Sequence, residues 1–174
     1  PAALYVRGRL PGEDRPTAAI VGARDCSHYG RETAELLGRA LGEAGIQVVS
    51  GMALGIDGAG HRGCLKAGGD TYGVLGCGPD ICYPRSHFSM YMEIPEKGGL
   101  IAEYGPGQSP KASYFPMRNR IISGLSDAVI VVEAREKSGS LITADWGLEQ
   151  GKEIFAVPGR NTDLLSRGCN LLIR

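Results

Sequence analysis

A chain of 174 residues, 43% hydrophobic and 22% charged, is long enough to form one domain with a sizeable core. Nineteen Lys and Arg balance nineteen Asp and Glu, so no global field attracts nucleic acid and any such binding needs a local patch. There is no apolar run of the roughly 18 residues that a membrane span needs and no signal-like opening segment; the five cysteines (26, 64, 77, 82 and 169) form no C-x-x-C pair and read as reduced thiols of a cytosolic protein.

In chain order, residues 1–16 read as an N-terminal lead-in, followed by a short apolar strand over 17–21. Gly22-Ala23-Arg24 then hands over to an amphipathic helix over 28–43, with Ala34, Leu37, Ala40, Leu41 and Ala44 at helical spacing and Gly45 as its stop. Strands follow at 46–50, 71–75, 99–103, 127–132 and 153–157, separated by helical patterns near 56–67, 85–94, 113–125 and 140–150. Short Val- and Ile-rich strands alternating with helices predict an α/β fold: a doubly wound, mostly parallel sheet with helices on both faces, an extended Rossmann-like domain. No internal repeat or linker divides it, so 1–174 is read as a single domain.

In such a sheet ligands bind beyond the carboxyl ends of the strands, so the loops there carry the functional reading. A dinucleotide turn would place G-x-G-x-x-G after the first strand. This chain offers Gly22 and then Arg24 and Ser27 where the second and third glycines would stand. An arginine there blocks the dinucleotide route and supplies a fork of donors for a phosphate. Ser50, Gly51 and Gly55 follow the second strand, Gly76-Cys77-Gly78 the third, and Glu133 leads to Ser138-Gly139-Ser140 after the fifth. Glycine turns also simply reverse a chain. Their convergence on one edge is what points to phosphate, and Ser138-Gly139-Ser140 is the best placed because a serine cap and free N–H groups open the next helix.

From Tyr104 to Ser126 no acidic residue occurs, while Lys111, Arg118 and Arg120 flank Tyr114 and Phe115. Basic groups that track phosphates and rings that stack on unpaired bases suit single-stranded nucleic acid; a solvated loop with Phe115 capping the core is the plain alternative. Arg118 and Arg120, two apart on a helix, cannot share a face, and Arg118 is the one assigned to the ligand. Asp57 and His61 share a helical face that suits acid–base work, or equally a helix-start carboxylate beside a packed histidine. Cys77, Cys82 and His87 lack a fourth zinc ligand and the usual spacing, so no metal or cofactor is expected, and Cys26 beside the phosphate loop has no evident partner. No G-x-S-x-G elbow exists, and Gly151-Lys152-Glu153 fails the P-loop pattern. No catalytic constellation is complete.

Together these words resemble the DNA-processing protein A (DprA, or Smf) family, specifically its central Rossmann-like domain. The resemblance rests on Ala19-Ile-Val-Gly-Ala-Arg24, Ser50-Gly-Met-Ala-Leu-Gly-Ile-Asp57 with His61, and Val74-Leu-Gly-Cys-Gly78 with Tyr83-Pro84. It continues through Phe115-Pro-Met-Arg-Asn-Arg-Ile-Ile-Ser-Gly-Leu-Ser126, Glu136-Lys-Ser-Gly-Ser-Leu-Ile-Thr143, Phe155-Ala-Val-Pro-Gly159 and Ser166-Arg-Gly-Cys-Asn-Leu-Leu-Ile173, in family order over nearly the whole chain. It implies a cytoplasmic homodimer, not an enzyme, that protects incoming single-stranded DNA and loads RecA recombinase onto it during natural transformation. By position, Gly22, Arg24, Lys111, Phe115, Arg118 and Asn119 would contact DNA, with Ser50, Gly51, Gly55, Ser138, Gly139 and Ser140 completing the phosphate pocket. Gly60 and Gly105 depart from the family's usual alanine and proline, which softens the backbone locally. The flanking helical and winged-helix modules of many members are absent from this chain. Leu171, Leu172 and Ile173 are candidates for the dimer contact, or they pack on the core. The rival reading is a nucleoside-monophosphate-binding or phosphoribohydrolase-like domain, but Trp146 stands where that enzyme class carries its glutamate.

Overall fold

The computed structural model describes residues 1–174. Seven strands form one sheet: β1 (Tyr5–Gly8), β2 (Thr17–Val21), β3 (Gln47–Ser50), β4 (Thr71–Leu75), β5 (Gly99–Ala102), β6 (Ala128–Val131) and β7 (Glu153–Ala156). The helices are α1 (His28–Glu43), α2 (Ile56–Lys66), α3 (Phe88–Lys97), α4 (Tyr114–Gly124), α5 (Gly139–Glu149) and α6 (Arg167–Ile173). None is long and apolar enough to cross a membrane. The strand order is β1-β5-β4-β3-β2-β6-β7, with every pairing parallel except β1 against β5. The chain lays β2 near the middle, builds outward through β3, β4 and β5, then returns to place β6 on the other side of β2. The topological switch point therefore lies between β2 and β6, where a doubly wound sheet opens a crevice for ligands.

Strands β2, β3, β4 and β5 are buried along their whole length, which is why they read as continuous apolar runs rather than alternating ones. On one face, Ala19, Val21, Val49, Val74, Val129 and Val131 pack against Ile121 and Ile122 of α4, Ala144 of α5 and Cys169 of α6. On the other, Ile20, Val48 and Val132 meet Ala34 of α1 and Ile56, Ala59 and Cys64 of α2. There too Met90, Tyr91 and Ile94 of α3 cover Leu75, Leu100 and Ala102. Helices α1 and α2 approach backbone to backbone: a Cβ on Gly38 would collide with the Gly60 carbonyl, and one on Gly63 with that of Glu35.

Two sequence expectations need correction, and one element is added. Residues 1–16 are not merely a lead-in, because they include β1, and the segment behind it is held by the buried Gln47 and the half-buried Asp70. Gln47 accepts from the Gly12 N–H (2.8 Å) and the Tyr72 hydroxyl (3.1 Å) and donates to the Gly12 and Arg15 carbonyls. Asp70 binds Arg9 (2.7 Å) and Arg15. Burial pushes its carboxyl up, and the bonds from Arg15 and Arg9 more than reverse that, leaving it below the ordinary value. The 85–94 helix is split into a single 3-10 turn at Arg85–His87 and α3, which runs on to Lys97. The added element is α6 in the closing segment, whose seven residues include a glycine and give too short a periodic pattern to predict a helix.

Candidate nucleic-acid interface

At the end of β2 the chain turns so tightly that a Cβ on Gly22 would lie 2.6 Å from Ile56 Cγ1 and 2.9 Å from the Glu133 carbonyl. The turn is fastened on both sides. Ala23 N–H donates to the Glu133 carbonyl (2.8 Å), and Ile56 N–H to the Ala23 carbonyl (3.2 Å). Gly55, at φ +75°, lies against the Ala23 and Arg24 carbonyls, where any side chain would collide. Arg24 is thereby projected outward, exposed, from a backbone with little freedom.

Just beyond, Ser27 caps α1 by accepting the Gly30 N–H (3.0 Å). The buried carboxylate of Glu133 accepts both the Ser27 N–H (2.8 Å) and the Ser27 hydroxyl (2.5 Å). A Cβ on Gly30 would strike this carboxylate, so the start of α1 is closed by an internal anion that the helix dipole favours. The start of α5 is different. Its cap, Ser138, sits 2.8 Å from the Ser140 hydroxyl, and Gly139 has open space around it. Asn119 Nδ2 donates to the Gly139 carbonyl (3.1 Å) and ties α4 to this corner.

Between the Arg24 turn and the start of α5 lies a cleft of about 730 Å³, walled by Gly22, Arg24, Tyr83, Phe115, Asn119, Arg135, Lys137, Ser138, Gly139 and Ser140, with Asp57 and Arg118 also lining it. Phe115 is its aromatic centre. The Arg24 guanidinium lies 5.2 Å and the Arg118 guanidinium 5.8 Å from its ring centroid, within cation–π range, and the Tyr83 ring is 5.5 Å away. The ring rests against Gly76, where a Cβ would approach within 2.8 Å of it. Arg24, Arg135 and Lys137 are exposed and make no ion pair. A neutral chain thus concentrates three uncommitted cations, two rings and an open helix start at its switch point.

Of the residues expected to bind, Gly22, Arg24, Phe115, Arg118, Asn119, Ser138, Gly139 and Ser140 come together here. The rest do not line the cleft. Ser50 is fully buried and spends its hydroxyl on the Ile20 carbonyl (2.5 Å). Gly51 is wedged behind the floor, with Asp57 Oδ2 and Arg118 Nη2 both within 2.8 Å of where its Cβ would be. Gly55 supports the Arg24 turn from behind. Lys111 is exposed on the preceding loop, its ammonium 5.4 Å from the Tyr114 ring, which in turn stacks on Tyr104. Glycine after a strand serves close packing as readily as ligand approach, and at 50–55 packing is the use made of it.

Arg118 also needs correction as the free ligand arginine. It is 4% exposed, and its Nη1 donates to the Gly51 (2.6 Å) and Val74 carbonyls while Nε reaches Asn119 (3.2 Å). Burial lowers its pKa to about 10, partly offset by Asp57, so it stays charged at neutral pH. It supports the floor. Arg120 diverges as its spacing requires and clasps both oxygens of Glu103 at 2.6 Å. The acid–base pairing of Asp57 and His61 fails on access. Asp57 accepts the Gly51 N–H at the floor, whereas His61 is wholly buried against Thr71 (2.7 Å), and burial drives its pKa down to about 3. Cys77, Cys82 and His87 each turn to a nearby backbone carbonyl instead of to a common centre. On α6, Leu172 packs on the core while Leu171 and Ile173 remain exposed. Sequence reasoning missed Tyr83, Arg135 and Lys137; the two cations were legible as the residues just ahead of Ser138.

A family model described as DNA recombination-mediator protein A matches residues 1–174. Protein Smf of Escherichia coli is 43% identical over 175 residues, a match covering all of this chain and 47% of that protein. The X-ray structure of DNA processing protein A from Streptococcus pneumoniae superposes with a TM-score of 0.92 at 42% identity, over 98% of this chain and 60% of that one. DNA processing protein A from Helicobacter pylori, solved for its single-stranded DNA binding mode, gives 0.87 at 31% identity over 98% and 77%. The chain thus spans about half the length of the Escherichia coli protein and three-fifths of the Streptococcus pneumoniae chain.

Proposed function

The chain belongs to the DNA recombination-mediator protein A family, and from that premise we propose that its switch-point cleft holds the backbone of single-stranded DNA. The protein would protect the strand and deliver it to a RecA-type recombinase during natural transformation in the cytoplasm. The observation that carries this reading is the convergence of Arg24, Arg135 and Lys137, none of them ion-paired, on Phe115 and the open start of α5. Cations neutralise phosphates without reading sequence, and Phe115 and Tyr83 offer π-faces that accept any base. The binding mode of the Helicobacter pylori relative supports the choice of a single strand. Nothing in this role requires a chemical step, so the protein is a binding mediator. Leu171 and Ile173, exposed on α6, form the proposed homodimer contact. Two clefts would then engage one strand.

The test is fluorescence anisotropy with labelled single strands across a salt series. Arg24→Ala should weaken binding by about 10-fold or more for every sequence, as loss of a charge-assisted contact would, and make the log–log salt slope shallower by about 0.7. Duplex DNA should bind more weakly than the single strand. Unchanged affinity and slope in Arg24→Ala would remove the cleft from the binding site.

A further inference from the structure

A second cavity, of about 1080 Å³, opens beside the cleft, where the loop after β7 faces the start of α1. The two cavities share Arg135 and Leu165. We propose that this cavity is a second subsite for the same single strand, with Arg135 as the phosphate contact at the junction, Arg160 as the next, and Tyr29 as the stacking platform for a base. The inference rests on the cleft being a single-strand site.

The ridge between the cavities is rigid. Ala134 N–H donates to the Leu165 carbonyl (2.7 Å), joining the loop after β7 to the end of β6. Gly168 lies so close to the Ala134 and Arg135 carbonyls that its Cβ would come within 2.8 Å of each. The far wall is braced as well, since Asn170 accepts the Gly159 N–H (3.2 Å) and donates to the Gly159 carbonyl (3.0 Å). On this frame Arg135 and Arg160 are exposed and form no ion pair, and the Tyr29 ring is 57% exposed. The acidic residues of the cavity are Glu133, whose carboxylate is committed to Ser27, and Asp163, which faces solvent next to Thr162. Two free arginines therefore outnumber one free carboxylate. A cation, an aromatic face and a second cation, continuous with a cleft of the same composition, suit a strand passing through rather than a ligand enclosed in one pocket.

The experiment compares wild type, Tyr29→Ala, Arg160→Ala and Arg24→Ala on oligothymidylates from about 4 to about 20 nucleotides, a range that brackets single-strand site sizes. Wild-type affinity should rise in two stages with length. Tyr29→Ala and Arg160→Ala should match wild type on the shortest strands and lose about 10-fold on the longest, whereas Arg24→Ala should be weak at every length. A 2-aminopurine placed along a long strand should be quenched at a position that Tyr29→Leu restores, giving a readout independent of affinity. If the Tyr29 and Arg160 variants track wild type at every length while Arg24→Ala fails throughout, the second subsite is refuted and the cleft stands. If those variants weaken the shortest strands equally, they belong to one site and the inference is refuted. If Arg24→Ala has no effect at any length, both readings fall.

Discussion

Replacing Arg118 with methionine separates a residue that supports the floor from one that holds phosphate. The guanidinium is 4% exposed and donates to the Gly51 and Val74 carbonyls. Each carbonyl left buried without its donor costs about 1–3 kcal/mol, so the pair amounts to about 4 kcal/mol before any contribution from Asp57, which loses the charge that opposes its burial. That is a large part of the roughly 5–15 kcal/mol by which a domain is stable. For a chain of this length it lowers the midpoint of thermal unfolding by roughly 10 °C. Arg24→Ala removes an exposed side chain without an ion pair and should change stability by no more than about 0.5 kcal/mol. Circular dichroism melts of both variants, with anisotropy titrations well below the melting range, assign the two arginines to opposite columns: Arg118 to stability and Arg24 to binding. In the double variant Asp57→Asn/Arg118→Met the losses should not add, because the two groups share a site. An Arg118→Met protein that melts within about 2 °C of wild type, yet shows the shallower salt slope, would refute the assignment and make Arg118 a phosphate fork.

The same geometry sets other outcomes. Gly55→Ala should lower stability by about 1–3 kcal/mol, since φ +75° and the Ala23 and Arg24 carbonyls both oppose a side chain. It should also weaken single-strand binding from outside the cleft by shifting the Arg24 turn, and normal affinity would show the turn to be adaptable. His61 is held neutral by burial, with a pKa of about 3 against 6.5 for the ordinary side chain. The unfolded chain therefore takes up the proton first, and stability falls as pH drops through the unfolded value. At about pH 5 the loss relative to about pH 8 is about 2 kcal/mol from this group alone. His61→Asn, which keeps a donor toward Thr71, should lose less stability over that interval in urea titrations. Parallel curves for the two proteins would show that His61 does not set the acid limb. The raised carboxyl of Asp57 acts in the opposite sense in both proteins and cancels from the comparison.

Much of this architecture is legible in the residues, because the buried parallel strands are written as apolar runs and the helices between them as periodic ones. What is not legible is which strands become neighbours. Val131 pairs with Val21 across more than a hundred residues, and no local pattern specifies that choice, so the switch point emerges only in three dimensions. Strand β1 escapes notice because Tyr-Val-Arg-Gly on an outer edge has no second face to bury. At the site, Gly22, Arg24 and Ser138 to Ser140 are recognisable from the loops at the carboxyl ends of their strands. The direction of a long side chain is not: Arg118 lies one residue from Asn119 in a basic stretch, and only the carbonyls of Gly51 and Val74 show that it points inward. Arg135 lies in plain view but in no motif, and Lys137 lies inside the Glu136 to Thr143 word, where the serines and glycine drew the phosphate reading.

The carboxylate of Glu133 at the start of α1 has a consequence for selectivity. In a doubly wound sheet that helix start is where free dinucleotides seat their pyrophosphate, and a strand-binding protein working among abundant soluble nucleotides would face constant competition there. With the Glu133 carboxylate bonded to Ser27 and seated against Gly30, that position is closed to a pyrophosphate. The uncommitted cations Arg24, Arg135 and Lys137 lie around that filled position rather than in it, so a phosphate arriving there would be met by side chains and by the open start of α5.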